Sequence, residues 1–170
     1  MISFLKLFYR SFICSGMNKF IFLILVSTVL ISCEKNIFFQ ETRTIDKEKW
    51  LTNQPCEFKV GVSDIHRTYN FYVNIRNTSD YKYSNLFVFL HTYYPGGTSS
   101  VDTLECKLAQ PDGKWLGTGF GRIKYLSIPL KQAVRFPRAG TYKFKIYQAM
   151  RGDVEGIVDV GFRIENNEVK

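Results

Sequence analysis

Histidine is nearly absent. His66 and His91 are the only two in 170 residues and stand 25 positions apart. Neither lies beside a second ligand type at metal spacing, so no metal site is predicted. No serine sits in a Gly-x-Ser-x-Gly elbow, so the local signature of a Ser-His-Asp hydrolase is missing, although triad partners need not be close in sequence. Acidic residues are few, 15 against 23 Lys and Arg. Glu57, Asp64, Asp102, Glu105, Asp112, Asp153 and Glu155 show no pattern that singles out a catalytic pair. The expectation is therefore no catalytic residue, no cofactor and no enzyme. Long apolar runs are missing too. Phe20–Ile31 has 12 residues, where a membrane-spanning helix needs about 20. The cations do not form a long run, which argues against nucleic acid as a partner. No convincing amphipathic helix, internal repeat or low-complexity tract is present.

What is present begins at the N-terminus. Lys6, Arg10 and Lys19 precede Cys33 with no acidic residue among them, so the formal charge of +8 falls to nearer +5 beyond that point. Lys19, the apolar core from Phe20 and the small Ser32 describe a secretory signal peptide over residues 1–32. Met17-Asn18-Lys19 is a sufficient basic start, which predicts Met17 as the true initiator. Leu30-Ile31-Ser32-Cys33 resembles the lipobox of bacterial lipoproteins. That resemblance implies cleavage before Cys33 and acylation of both its thiol and its new amine. Two acyl chains anchor stably where one binds only marginally. Cys33 is thus the predicted lipid-attachment residue, and the membrane is the first predicted partner. Glu34 is the single acidic residue directly after it, not the acidic cluster associated with surface export. This places the domain on the outer membrane facing the periplasm.

Of the four cysteines, Cys14 is lost with the signal and Cys33 takes lipid. Cys56 and Cys106 remain in a compartment where disulfides form. They either pair or stay as small buried hydrophobes.

Residues 33–53 are polar and weakly periodic and are predicted to be a lipid-anchored tether. From residue 54 to 166 the pattern has period two. Phe58, Val60 and Val62 alternate with polar or small residues. So do Phe71, Val73 and Ile75, then Tyr142, Phe144 and Ile146, then Val158, Val160, Phe162 and Ile164. Leu86–Leu90 is nearly all apolar and predicts a strand that is central or buried on both faces. Val101–Leu108 is a further strand, and Ile123–Ile128 and Lys131–Phe136 are weaker ones around Pro129. The sum is an all-β fold, an antiparallel β-sandwich of about eight strands, jelly-roll or Ig-like. The loop Gln110–Gly121 carries four glycines; they let the backbone bend near Trp115 and do not match a phosphate loop. Asp112, Lys114, Trp115 and Phe120 make it the candidate interaction loop. Tyr69, Tyr72, Tyr81, Tyr83, Tyr93 and Tyr94 cluster around two turns, where such rings stack on sugars or proteins or simply pack the core.

Several stretches, taken in order, resemble the gliding-motility lipoprotein GldH family: Tyr83–Phe87, Asp102–Glu105, Pro111–Gly121, Phe136-Pro137, Gly140–Tyr142, Gln148–Arg151, Gly156-Ile157 and Asp159–Glu165. The link between Met150 and Gly156 is shorter than the acidic stretch such proteins often carry there. The resemblance implies a cell-envelope lipoprotein needed for gliding, a process coupled to type IX secretion. It implies no enzymatic activity, and partners among the envelope proteins of that machinery. A carbohydrate-binding module is the alternative expectation, since a sandwich with loop tyrosines and Trp115 suits sugar stacking.

Overall fold

The computed structural model describes residues 36–167. The predicted signal peptide, the start at Met17 and the acylated Cys33 lie outside the described residues.

Ten strands follow in order: β1 (Ile37–Thr44), β2 (Lys49–Trp50), β3 (Cys56–Val62), β4 (Tyr69–Thr78), β5 (Asn85–Tyr93), β6 (Ser99–Lys107), β7 (Ile123–Val134), β8 (Gly140–Gln148), β9 (Val154–Glu155) and β10 (Ile157–Asn166). One sheet has the order β1-β10-β4-β7 and the other β3-β8-β5-β6, while β2 and β9 pair separately. All these pairings are antiparallel. Among the long strands only β5 and β6 are joined as a hairpin within one sheet; the other connections cross between sheets. That wiring is the jelly roll, which decides between the two sandwich types the sequence allows.

The alternation explains the core. Phe58, Val60 and Val62 point inward from β3, as do Phe71, Val73 and Ile75 from β4. The sheets meet through aromatic rings, with centroids 5.7 Å apart for Phe58–Phe162, 6.0 Å for Phe71–Phe144 and 4.8 Å for Phe144–Phe162. These are favourable tilted and edge-on separations.

The expected tether over residues 33–53 is not what the chain forms from Asn36 onward. Ile37–Thr44 pair with β10 along their length as an edge strand. Trp50 is 1% exposed, and its indole Nε1–H donates to the Gln54 carbonyl at 2.8 Å. The polar composition misled because an edge strand carries charge without penalty. Arg43 pairs with Glu41 at 2.6 Å, donates from Nε to the Glu57 carbonyl at 3.1 Å, and lies 5.4 Å from the Phe58 ring centroid. The sandwich therefore begins near residue 36 rather than 54.

Two strand expectations also change. Residues 123–134 form one long strand, with Pro129 inside it. β7 is an edge strand, where proline is tolerated, and its register with β4 shifts beside Pro129, between Phe71 and Tyr72. β5 is central, between β8 and β6, but it is not buried on both faces. Leu86, Val88 and Leu90 face the core, whereas Phe87 and Phe89 face outward.

The register sorts the connections into two ends. Asn36, residues 63–68, 94–98 and 135–139 lie at one end; residues 45–55, 79–84, 108–122 and 149–156 lie at the other. Ten residues of strand at about 3.3 Å each separate these ends by roughly 30 Å.

Candidate interaction surface

The connection from β6 to β7 is a structured hairpin rather than a loose loop. The Gly113 N–H donates to the Gln110 carbonyl at 2.9 Å, and the Gln110 N–H to the Lys114 carbonyl at 2.8 Å. The Asp112 carboxylate accepts from the Lys114 N–H at 3.0 Å. Asp112 is thus a turn-former, a task short acids perform by capping nearby backbone donors. Trp115 bridges to Ala109 and packs half-buried against the core. Thr118 and Tyr125 exchange both backbone hydrogen bonds, at 2.9 and 2.7 Å. A Cβ at Gly119 (φ +152°) would collide with the Ile123 carbonyl oxygen, and Gly121 has φ +65°. Between these glycines Phe120 projects, 101% exposed. The four residues singled out from sequence therefore divide. Asp112 and Lys114 shape the hairpin, Trp115 packs inward, and Phe120 stands clear of the fold.

The base of this tip is clamped. Arg122 holds Glu48 with two bonds of 2.9 and 2.6 Å, and its carbonyl accepts from the Ser79 N–H at 2.6 Å. Lys47 and Glu48 adopt left-handed backbone conformations, φ 49° and 57°, which non-glycine residues avoid. Glu48 is fixed there from two sides, since its carbonyl also accepts from the Gly156 N–H at 2.8 Å.

A second surface was not legible from sequence. Phe87, Phe89, His91 and Tyr93 alternate along β5 and make an aromatic stripe on the outer face of its sheet. His91 packs 4.9 Å from Tyr147 on β8, and Lys143 Nζ sits 5.8 Å from the Tyr93 ring. The clue was aromatic residues at period two within Leu86–Leu90, whose intervening apolar residues masked the alternation. Among the clustered tyrosines, Tyr69 and Tyr81 are core residues and Tyr83 and Tyr93 are exposed.

Cys56 and Cys106 are both buried and unpaired. They lie on β3 and β6, the two opposite edges of one sheet. Three inter-strand steps of about 4.8 Å separate those edges. A disulfide needs Cα atoms within about 7 Å, so pairing is excluded in this fold. Burial pushes each thiol up to about 12. Neither is a thiolate at neutral pH, so neither is a nucleophile. Iodoacetamide at pH 8 is expected to leave both unmodified in the native domain. In denaturant it should modify both without added reductant, which mass spectrometry reads directly. A requirement for reductant would contradict the arrangement.

The GldH lipoprotein family model matches residues 37–164. A gliding motility lipoprotein GldH homolog from Christiangramia forsetii is 39% identical over 91% of this chain and 98% of its own. The gliding motility lipoprotein GldH of Flavobacterium johnsoniae is 37% identical over 86% of this chain and 95% of its own. Among solved structures, that of TmCBM61 in complex with beta-1,4-galactotriose overlaps 78% of this chain and 92% of that one, at 12% identity and a TM-score of 0.33. That overlap is too weak to bear on fold or ligand.

Proposed function

The chain belongs to the GldH lipoprotein family, and from that premise we propose a non-enzymatic accessory of the gliding-motility and type IX secretion machinery that works through protein–protein contacts. Lipids on Cys33 hold it in the outer membrane, facing the periplasm. Only Glu34 and Lys35 stand between Cys33 and Asn36, and those three residue steps reach about 10 Å at full extension. The Asn36 end therefore rests near the bilayer, and the 108–122 hairpin points away from it. The observation that supports a contact role is Phe120. A wholly exposed phenylalanine on a clamped tip has no packing purpose in its own fold, and such aromatics serve as anchors in partner pockets. The aromatic stripe on β5 starts at the same end, with Leu108 and Ala109 both donating to the Ser84 carbonyl just before it.

Affinity purification from crosslinked envelopes tests the reading. Subunits of the secretion or gliding machinery are expected to come down with this chain, and a deletion strain should lose gliding or type IX export. Intact gliding and export in that strain would defeat the proposal. The anchor has its own check. Cells fed an alkyne fatty acid should label the chain, and Cys33→Ser should abolish the label. Label retained in that variant would overturn the assignment of Cys33.

A further inference from the structure

A cavity opens between the two sheets at the Asn36 end of the fold, with a volume of about 260 Å³. Phe71, Leu90, Phe136, Tyr142 and Phe144 form its inner wall, and none of the five is more than 4% exposed. Lys131, Val134 and Arg135 are more exposed and form its mouth. The end of β7 shapes this opening. Between Tyr69 and Phe71 the register advances two residues on β4 but three on β7, from Val134 to Lys131, and it shifts again between Phe71 and Tyr72. Each shift puts an extra residue into β7, and such bulges bend a strand. Within the first, Ala133 takes φ 52° and its N–H donates to Asn70 Oδ1 at 3.0 Å. Non-glycine residues avoid that conformation, so it persists only where surrounding bonds hold it. The bend lies at Phe71, one wall of the cavity.

Two cations stand at the mouth. Lys131 is committed: its Nζ bonds Asp102 Oδ2 at 2.7 Å, an ion pair that joins β7 to β6 across the gap between the sheets. Arg135 is exposed, and its guanidinium makes no ion pair or hydrogen bond among the described residues. Arg135 also lines a second, polar cleft of about 420 Å³ together with His66, Arg67 and Thr68. Arg67 in that cleft pairs with Asp64 at 2.9 Å. One uncompensated arginine thus sits where an apolar cavity meets a polar cleft.

This junction selects the ligand class. A sugar would bury hydroxyls, and a peptide its backbone amides, against walls that offer them almost no partner. An alkyl chain has no polar group to strand. Sheets packed about 10 Å apart leave a gap one side chain thick, which suits a single extended chain better than a fused ring system. The free guanidinium beside the cavity adds a demand for an anion, which it meets with charge-assisted hydrogen bonds. We propose that the cavity between the sheets, with Arg135 at its mouth, binds one alkyl chain that carries an anionic head, as in a fatty acid or an acidic phospholipid. The acyl groups on Cys33 carry no charge to meet Arg135 and are not the occupant. The proposed anchor holds the Asn36 end against the bilayer, where such chains are abundant. Only that source rests on the anchor; the binding itself does not. The site lies at the opposite end from the Phe120 tip and is independent of it.

The test uses the full mature chain carrying Cys33→Ser, isotope-labelled and free of detergent, titrated with decanoate, decyl phosphate and decanol below their micelle-forming concentrations. At least one of the two anions is expected to shift the Leu90 and Val134 methyl resonances saturably. Decanol, the same chain without charge, should bind at least about fivefold more weakly. Arg135→Ala, at an exposed position, should lower the anion to the decanol level. Leu90→Phe, which fills the cavity, should abolish the shift at Val134, and Phe89→Ala, on the outer face of the same sheet, should leave binding unchanged. Should Leu90→Phe fail to fold, Arg135→Ala and the decanol comparison still decide. A second arm places the lipidated protein in phosphatidylcholine nanodiscs containing phosphatidylglycerol spin-labelled at its chain end. Broadening of the Leu90 and Val134 methyls there identifies a bilayer lipid as the occupant, and anion binding without it identifies a free fatty acid; either upholds the site. No saturable shift with either anion, equal affinity for decanol, or anion binding that Arg135→Ala retains would overturn the proposal. Anion binding in a chain whose Cys33 takes no lipid in cells would defeat the anchor and leave this site standing.

Discussion

Replacing Phe162 with alanine is expected to lower the unfolding free energy by about 3–5 kcal/mol. The residue is completely buried at the middle of β10. Its ring contacts those of Phe39, Phe58, Phe71 and Phe144, at centroid distances of 6.3, 5.7, 5.9 and 4.8 Å. These four come from β1, β3, β4 and β8, so the truncation loosens contact within one sheet and between both. A rigid sandwich collapses poorly around such a hole, which puts the loss at the upper end of substitutions of this kind. Domains of this size are stable by about 5–15 kcal/mol, so a sizeable unfolded fraction is expected. Urea unfolding followed by tryptophan fluorescence measures it, since Trp50 is buried in the same fold. A loss below about 1 kcal/mol would mean that the core is not centred on Phe162.

Phe120→Ala should give the reverse pattern. The side chain touches little of its own fold, so stability should change by no more than about 0.5 kcal/mol. Aromatic anchors in protein interfaces contribute about 2 kcal/mol or more, so partner capture should fall roughly 30-fold. Thermal melting and crosslink yield, measured on the same variant, separate the two effects. Undiminished capture would remove Phe120 from the contact surface and shift attention to Phe87 and Phe89. Substitution of Gly119 is a poorer probe, because its Cβ would collide with β7 and damage the hairpin itself.

The sandwich was legible because its inner faces obey simple alternation. Phe58-x-Val60-x-Val62 and Tyr142-x-Phe144-x-Ile146 are period-two stripes in the sequence and inward rows in the structure. Alternation fails where both faces are apolar, as at Leu86–Leu90, and the period alone could not show that Phe87 and Phe89 stay uncovered. It fails again at β1, whose inward Glu41 and Arg43 neutralise each other at a sheet edge. Propensity and charge pointed to a linker there, and pairing with β10 won. Strand order was beyond the sequence altogether, because it depends on which sheet each connection crosses to. The outer face of the β1-β10-β4-β7 sheet shows the consequence. Thr42, Asn74, Ser127 and Gly161 are scattered over 120 positions and acquire meaning only when four registers line them up. By contrast Phe120 between two glycines was visible as a tip from its neighbours, though its isolation from Trp115 was not.

The position of β1 also determines how the molecule answers a mechanical load. The chain enters the fold at Asn36 and runs along β1 toward the opposite end, where Phe120 projects. A pull between a membrane-held N-terminus and a partner gripping that tip runs parallel to β1. Antiparallel ladder bonds lie perpendicular to the strands. Such a pull therefore shears the whole β1–β10 ladder at once instead of opening it one rung at a time. The same edge strand that carries little of the core is the one placed to keep the domain folded under tension.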